Sequence, residues 1–214
     1  MESNVYAELK NQVTENYALV KLEDKVLDLD LEIYDPINDE IINTNLSEYE
    51  GKWVVLFFYP ADFTFVCPTE LKDLNDKLQE FQSMENVEVI VVSTDTVFSH
   101  RGWLKEEHLL KDFQLPMASD RTTIMSRYFG ILNEQSWNSE RWTFIISPDG
   151  YLKCMEIHTE PVGRSSNELV RKLHALKFVT ENPWNACVAS WNWESSPKLK
   201  PSIKIAWEVA ENLE

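Results

Sequence analysis

One cysteine of this chain stands at a position where a thiol can become reactive. Residues 59–71 read YPADFTFVCPTEL, so Cys67 follows an apolar run and directly precedes Pro68. Because proline is favoured at the first position of a helix, the pattern predicts that Pro68 opens a helix and that Cys67 lies at or beside its N-cap. Unpaired backbone N–H groups and the positive end of the helix dipole stabilise a thiolate there. Since the thiolate is the nucleophilic form of cysteine, Cys67 is a candidate nucleophile.

Ionisation of Cys67 does not by itself predict a fast enzyme. A thiolate loses intrinsic nucleophilicity as its basicity falls, which offsets most of the gain from ionisation. Further groups must therefore stabilise the charge that develops in the transition state. Thr64 is a candidate because its hydroxyl both donates and accepts hydrogen bonds, and Pro60 is expected to stiffen the strand-to-helix bend that exposes the site. From these residues alone, an inert buried thiol at Cys67 and a turn or capping role for Thr64 stay open.

Composition narrows the classes of protein to which the chain can belong. The net charge of −16 disfavours nucleic acid or an anionic membrane surface as a partner. Three cysteines are too few for a secreted disulfide scaffold, and the four histidines lack the close spacing of zinc ligands. No signal-peptide pattern opens the chain, and no apolar run approaches the roughly 18 residues of a membrane-spanning helix. The sequence therefore predicts a soluble cytoplasmic protein without a metal site.

Two apolar runs predict the centre of a sheet. Residues 53–59 (WVVLFFY) and 87–93 (VEVIVVS) are rich in β-branched and aromatic residues and do not alternate throughout, as in strands covered on both faces. Between them, apolar residues recur at helical spacing, which predicts a crossover helix over residues 68–84 and a parallel pairing of the two strands. Cys67 would then stand between the first strand and this helix.

The flanking patterns predict the rest of the fold. The expected elements are a half-exposed edge strand over residues 26–33 followed by a turn near Asp35-Pro36, a short helix over 121–129 capped near Asp120, a hairpin over 141–157 that turns at Pro148-Asp149-Gly150, and a helix that begins near Ser165 and ends before Pro183. Together they predict an α/β fold with a mixed central sheet flanked by helices, an arrangement that resembles the thioredoxin-like fold.

The stretch around Cys67 also resembles a known family. It is similar to the active-site loop of the peroxiredoxins, specifically of the typical two-cysteine branch that includes alkyl hydroperoxide reductase C. The core pattern of that loop, PxxxTxxC, is met by Pro60, Thr64 and Cys67. The resemblance extends over roughly residues 48–202.

The resemblance implies a role for each residue of the site. Cys67 would be the peroxidatic cysteine, which attacks a peroxide oxygen and becomes a sulfenic acid. Arg141 matches the active-site arginine of the family, which with Thr64 would bind and polarise the peroxide oxygens. Glu70 and Arg164 match positions that orient that arginine, so the resemblance implies supporting roles for both.

The resemblance also assigns the second reactive thiol. Cys187 falls where the family places its resolving cysteine, although Val188 replaces the proline that usually follows. This implies that Cys187 attacks sulfenylated Cys67, and that the resulting disulfide joins the two subunits of an antiparallel dimer. Cys154 has no counterpart in the family, and we expect a buried, inert thiol in the middle of a strand.

The expected function is therefore that of a thiol peroxidase acting on hydrogen peroxide and small organic hydroperoxides without metal, flavin or haem. Family precedents imply dimers that assemble into decamers, and electrons from thioredoxin or from a disulfide-reducing flavoprotein. We expect an N-terminal extension over residues 1–25, a thioredoxin-like peroxidase domain over 26–180, and a C-terminal tail over 181–214 that carries the resolving cysteine.

Three other functions stay open at this point. A one-cysteine peroxidase would use Cys67 and an external thiol, which would make Cys187 incidental. A holdase chaperone or ring-forming scaffold would instead use the tryptophan-rich surface. A cysteine hydrolase is disfavoured because no histidine has a recognisable place beside Cys67.

Two departures from the family predict the response to excess peroxide. Oxidation-sensitive relatives carry a glycine-rich insertion near the position of residues 111–116, which here read KDFQLP, and a C-terminal YF motif that is absent from the ending KIAWEVAENLE. In those relatives both features slow resolution by holding the peroxidatic cysteine in its folded position. Their absence predicts that Cys67 resists overoxidation to a sulfinic acid.

Overall fold

The computed structural model describes residues 20–195, 198–203 and 209. The chain divides into two compact units between Arg164 and Ser165. Residues 1–19 of the expected N-terminal extension lie outside the described residues, and the domain boundaries expected at residues 25 and 180 stay predictions. Among the described residues, every helix is too short or too polar to cross a bilayer.

A mixed sheet forms the centre of the first unit. Its strands are β1 (Asp30–Asp35), β2 (Glu40–Asn45), β3 (Trp53–Phe58), β4 (Val87–Ser93), β5 (Met117–Ser119), β6 (Arg141–Ile146) and β7 (Leu152–His158). They lie in the order β2-β1-β5-β4-β3-β6-β7. Neighbours β3 and β4, and β4 and β5, are parallel, while the other pairs are antiparallel. Because β3, β4 and β5 share a direction, their carboxyl ends meet at one edge of the sheet, where open α/β folds place their sites.

Helices connect the strands of the first unit, and a further helix lies in the second unit. They are α1 (Cys67–Asp76), α2 (Leu78–Ser83), α3 (Val97–Glu106) and α4 (Ile124–Tyr128) in the first unit, and α5 (Ser166–Glu181) in the second. The second unit also contains a short antiparallel pair, β8 (Ala186–Cys187) and β9 (Lys198–Leu199). The mixed sheet with flanking helices confirms the predicted thioredoxin-like fold.

Strand β3 lies in the interior of the sheet, and all of its residues are buried. It pairs in parallel with β4 from Trp53 opposite Val87 to Phe58 opposite Val92, and antiparallel with β6 on its other side. Leu56 and Phe58 belong to one hydrophobic cluster with side chains from other strands and α4. Full burial of one such side chain stabilises the fold by about 1.5–3 kcal/mol. The prediction of two central, parallel strands is confirmed.

The strand predicted at the sheet edge lies one place inside it. Leu31 and Ile33 are buried and Glu32 between them is exposed, which confirms the alternating pattern. After a turn over residues 36–39 the chain returns as β2, which pairs with β1 over its full length and takes the edge position. The predicted edge position of β1 is therefore wrong, because the mixed polar and apolar sequence of β2 gives no sign of a second strand.

The crossover helix is divided in two at Lys77. The backbone N–H of Lys77 donates to the carbonyl of Leu74, three residues back at 3.1 Å, so the chain tightens between α1 and α2. Leu71, Leu74 and Phe81 are all buried nevertheless, as the helical spacing predicts. No glycine or proline marks the break, and for this reason the apolar pattern predicts one helix where there are two.

The predicted hairpin is confirmed, whereas the cap predicted near Asp120 is wrong, because the N-cap of α4 is Thr123. Strands β6 and β7 are antiparallel, and the turn between them contains Gly150 with φ of 85°, a conformation that glycine adopts without strain. The carboxylate of Asp120 nevertheless accepts hydrogen bonds from the backbone N–H groups of Met125 (3.0 Å) and Ser126 (2.7 Å), so it satisfies the first turn of α4 from three residues before the N-cap. Helix α5 ends before Pro183, as its flanking residues predict.

Candidate active site

Cys67 is the first residue of α1, directly after the loop of residues 59–66 that leaves the carboxyl end of β3. Val66 is the N-cap, so Cys67 lies within one residue of it as predicted, whereas Pro68 takes the second helical position and not the first. We name residues 59–66 the active-site loop. Only 1% of Cys67 is exposed, so the expectation that the bend exposes the thiol is wrong. Side chains from other elements cover the sulfur.

Arg141 brings a fixed positive charge to that sulfur. It is the first residue of β6, and because β6 runs antiparallel to β3, its start lies beside the end of β3. Its Nη1 and Nη2 lie 3.7 and 3.8 Å from the Sγ of Cys67. Its Nε and Nη2 also donate to the backbone carbonyl of Glu160, at 3.0 and 2.8 Å. The planar guanidinium is therefore held in one orientation against the sulfur.

Glu70 joins two arginines beneath the site. It lies one helical turn after Cys67, and its carboxylate accepts hydrogen bonds from Arg141 Nη1 through Oε2 and from Arg164 Nε through Oε1, the latter at 2.9 Å. The backbone N–H of Arg164 donates to the same Oε1 at 2.7 Å. The carboxyl and guanidinium groups are at most 2% exposed. Two guanidinium groups and one carboxylate leave one uncompensated positive charge, which favours an anion at Cys67.

Arg164 is fixed by neutral groups as well as by Glu70. Its Nη1 donates to the carbonyl of Trp142 (2.7 Å) and to the hydroxyl of Thr143 (3.0 Å), and its guanidinium lies 3.3 Å from the centroid of the Phe57 ring. Burial lowers the pKa of Arg164, and the contact with Glu70 opposes that effect. A buried guanidinium with this many partners is well suited to orient Glu70 and, through it, Arg141.

A cleft of about 360 Å³ opens beside the sulfur. Its lining residues are Pro60, Thr64, Phe65, Val66, Cys67, Arg141, Glu160 and Pro161. Since a water molecule occupies roughly 30 Å³ of liquid, the cleft has room for a peroxide group and a small substituent. The hydroxyl of Thr64 donates its proton to the carbonyl of Ala61 at 2.8 Å, so it offers a ligand a hydrogen-bond acceptor.

The structure thus brings together six of the seven residues singled out in the sequence, namely Pro60, Thr64, Cys67, Glu70, Arg141 and Arg164. Two contributors were missed. Thr143 supports Arg164, and Glu160 contributes its backbone carbonyl to Arg141. Every residue has a backbone carbonyl, so the sequence carries no signal for the contact of Glu160.

Cys187 lies in the second unit, in strand β8. Its Sγ donates to the carbonyl of Ala175 in α5 at 3.7 Å, and the side chain is half-buried. Burial raises the pKa of the Cys187 thiol, and the positive charge of Arg171 partly opposes this. Cys187 is therefore a protonated thiol that contacts helix α5.

Cys154 is half-buried in β7, opposite Ile145 of β6. The predicted position in the middle of a strand is confirmed, but the predicted full burial is wrong. The reason is that β7 is the last strand at its side of the sheet, where fewer elements are available to cover it.

Comparison with known proteins agrees with this site. Residues 22–155 match the model of the AhpC/TSA family. The alkyl hydroperoxide reductase C of Ferdinandcohnia aciditolerans is 41% identical over 170 residues, which span 79% of this chain and 100% of that protein.

Solved structures give the same relationship. The crystal structure of Enterococcus faecalis AhpC matches with a TM-score of 0.75 and 36% identity over 79% of this chain and 100% of that one. The reduced 2-Cys peroxiredoxin of Plasmodium vivax matches with a TM-score of 0.80 and 27% identity, over 86% and 94% of the two chains. Family match, relatives and site geometry agree: this chain belongs to the AhpC/TSA family and is a peroxiredoxin of the alkyl hydroperoxide reductase C kind.

Proposed function

We propose that this peroxiredoxin reduces hydrogen peroxide and small organic hydroperoxides at Cys67. The observation that carries the proposal is the Arg141 guanidinium 3.7 Å from a buried cysteine sulfur at the start of a helix. A thiolate there is stabilised by the guanidinium and by the helix terminus, while the cleft beside it admits a small ligand.

The chemical step is a two-electron oxidation of sulfur. The thiolate of Cys67 attacks one peroxide oxygen, an S–O bond forms, and the O–O bond breaks. The departing oxygen takes a proton and leaves as water or an alcohol, and Cys67 becomes a sulfenic acid. Arg141 stabilises the negative charge that develops on the two oxygens, and Thr64 accepts a hydrogen bond from the peroxide.

We assign the resolving role to Cys187 of a second subunit. Its thiolate attacks the sulfenic sulfur of Cys67, an S–S bond forms, the S–O bond breaks, and the departing hydroxide takes a proton and leaves as water. An external dithiol, supplied by thioredoxin or by a disulfide-reducing flavoprotein, then returns two electrons and restores both thiols. Because burial raises the pKa of Cys187, its thiol must lose a proton before it can attack.

Two surface features support assembly into dimers and then decamers. Strand β7 is an edge strand, and its unpaired backbone groups can pair with a second copy of the same strand. Phe65 and Trp184 are 93% and 84% exposed, which is costly for aromatic side chains that stay in water. The small number of cysteines supports a location in the reducing cytoplasm.

Turnover of hydroperoxide by the purified protein tests the proposal. We expect NADPH consumption with thioredoxin and its reductase, or NADH consumption with the flavoprotein, and complete loss in Cys67→Ser. Cys154→Ser is the matched control, because it removes a thiol outside the site and should keep full turnover. Peroxide consumption by Cys67→Ser at the rate of the unmodified protein would disprove the assignment.

Non-reducing gels separate the proposed resolution from the alternatives. One equivalent of peroxide should produce a covalent dimer, which Cys187→Ser should abolish. Turnover that persists in Cys187→Ser with a small external thiol would instead indicate a one-cysteine peroxidase. A holdase would give two results together. The native protein would not turn over peroxide, and the Cys67→Ser variant would still protect unfolding client proteins.

A further inference from the structure

A buried polar cluster lies beneath the active-site loop and takes no part in the chemistry described above. Tyr59 stands at the start of the loop, Asp62 lies within it, and His100 lies in α3. Their exposed fractions are 0%, 6% and 0%. The hydroxyl of Tyr59 donates to Asp62 Oδ1 at 2.8 Å, and His100 Nδ1 lies 3.0 Å from Asp62 Oδ2. Burial of polar groups on this scale is costly unless each group is paired.

The two ring nitrogens of His100 both face hydrogen-bond acceptors. Nδ1 faces the carboxylate of Asp62, and Nε2 lies 3.3 Å from the backbone carbonyl of Ala118 in β5. A carbonyl only accepts, and so does an ionised carboxylate, whereas a neutral imidazole can donate from one nitrogen alone. Nδ1 also lies 3.3 Å from the hydroxyl of Tyr59, so the three side chains of the cluster all contact one another. Loss of one of them leaves buried polar groups without a partner, which is strongly unfavourable.

Asp62 connects this pair to the active-site loop and to the sheet. Its backbone N–H donates to Asp95 Oδ2 at 2.9 Å, and that carboxylate also accepts from the hydroxyl of Ser93 at the end of β4. Next in the chain, Phe63 has φ of 55°, a left-handed conformation that a bulky residue adopts only when its surroundings enforce it. Two residues after Asp62 comes Thr64, which lines the cleft beside Cys67. The position of Thr64 therefore depends on how Asp62 is held.

Because Cys67 is buried, the contacts of Asp62 also affect disulfide formation. Two sulfur atoms must approach to about 2.05 Å to form a disulfide, and a thiol that is 1% exposed cannot meet another thiol where it stands. The active-site loop must move before Cys67 can be resolved. Because Asp62 lies in that loop, the movement breaks its contacts with Tyr59 and His100.

We propose that Asp62 and His100 form a hydrogen-bonded latch that positions the active-site loop for peroxide reduction and whose release limits disulfide formation. This inference rests on the proposed function. The two residues are positioning residues, since neither touches Cys67 or the ligand cleft. The latch favours the first chemical step and opposes the second.

Stopped-flow kinetics of the reduced, full-length protein test the latch through Asp62→Asn. This change keeps the size of the side chain and removes its charge. We expect the second-order rate of Cys67 oxidation to fall roughly tenfold and the first-order rate of disulfide formation to rise roughly tenfold, as for loss of one charge-assisted hydrogen bond. His100→Gln should produce the same split between the two steps.

Asp120→Asn is the matched control. Asp120 is also a buried carboxylate at the same edge of the sheet, but it binds the backbone of α4 and not the loop. Both rates should stay within roughly twofold of those of the unmodified protein, since the contacts of Asp62 are untouched. If Asp62→Asn slows both steps together, or changes neither, the latch is disproved.

Tyr59→Phe tests the same cluster with a smaller change, because it keeps the ring and removes the hydroxyl that donates to Asp62. We expect the same split between the two steps, and unchanged rates in both Tyr59→Phe and His100→Gln would overturn the proposal even if Asp62→Asn fails to fold. Absence of Cys67 oxidation in the unmodified protein would instead contradict the proposed function and leave the contacts of Asp62 as observed.

Discussion

At the scale of single residues, Arg141 contacts three different groups at once. Its guanidinium lies against the sulfur of Cys67, the carboxylate of Glu70 and the backbone carbonyl of Glu160. A planar group with five donors can satisfy all three, whereas the ammonium of lysine is a compact charge on a flexible stem. Position and charge are therefore both required of this side chain.

Arg141→Lys keeps the charge and removes the geometry. We expect kcat/KM for hydrogen peroxide to fall at least roughly a hundredfold, the effect of losing a preorganised donor to the transition state. Stopped-flow measurement of Cys67 oxidation checks this. Arg127→Lys is the control, since Arg127 pairs with the exposed Glu134 and should leave the rate unchanged. A decrease of less than roughly threefold in Arg141→Lys would show that charge alone suffices.

Glu70→Gln removes the one negative charge between two buried arginines. We expect the free energy of unfolding to fall by about 3–5 kcal/mol, because the buried guanidinium groups of Arg141 and Arg164 lose the carboxylate charge that they share. Urea denaturation measures the loss. Glu168→Gln removes a partly exposed partner of Arg171 and should cost less than about 1 kcal/mol. Equal stabilities of the two variants would contradict the role assigned to Glu70.

At the scale of elements, α4 depends on a carboxylate outside it. The helix has five residues, which is too short to be stable by itself. Asp120 accepts from two of its first backbone N–H groups, yet this carboxyl is 2% exposed. Burial raises its pKa from 3.8 to about 6, and the hydrogen bonds from α4 oppose that effect.

A raised carboxyl pKa makes stability depend on pH in a definite direction. Between the unfolded pKa of 3.8 and the folded value of about 6, the folded protein binds more protons than the unfolded chain. The contribution of Asp120 is therefore most favourable below about pH 4 and is lost as the pH rises to about 6, by on the order of 2–3 kcal/mol. Urea denaturation from about pH 4 to about pH 7 should show this decline in the unmodified protein but not in Asp120→Asn. Parallel pH profiles of the two proteins would refute it.

At the scale of the whole molecule, residues 111–116, where the resemblance predicts the absence of a glycine-rich insertion, pack within the first unit. Phe113 and Leu115 are buried, and the side chain of Asn75 in α1 bonds the backbone of Asp112 and Gln114, at 3.1 and 2.9 Å. The segment therefore connects β5 to the preceding turn without projecting an additional loop.

Resistance to overoxidation is the corresponding prediction. Cys67 as a sulfenic acid either reacts with Cys187 or meets a second peroxide, and fast resolution favours the disulfide. Mass spectrometry after turnover at low micromolar peroxide should find the disulfide and no sulfinic acid at Cys67. In Cys187→Ser, where resolution is removed, the sulfinic acid should accumulate. Its formation in the unmodified protein at those concentrations would contradict the prediction.

Local patterns in the sequence determined the elements and the start of the site. The apolar runs of β3 and β4, the turn at Gly150 and the position of Cys67 at a helix start depend on residues close together in the chain. The roles proposed for Arg141 and Glu70 came from the resemblance to peroxiredoxins, because neither periodicity nor spacing distinguishes a buried arginine from a surface one.

Tertiary structure alone decided which distant residues meet. Arg141 and Cys67 are 74 residues apart, and they touch because β6 pairs antiparallel with β3. The pairing of Asp62 with His100, 38 residues apart, and the edge position of β2 have the same origin. Strand order depends on how the whole sheet buries its faces, and a local pattern records which residues are apolar but not which strand will lie beside them.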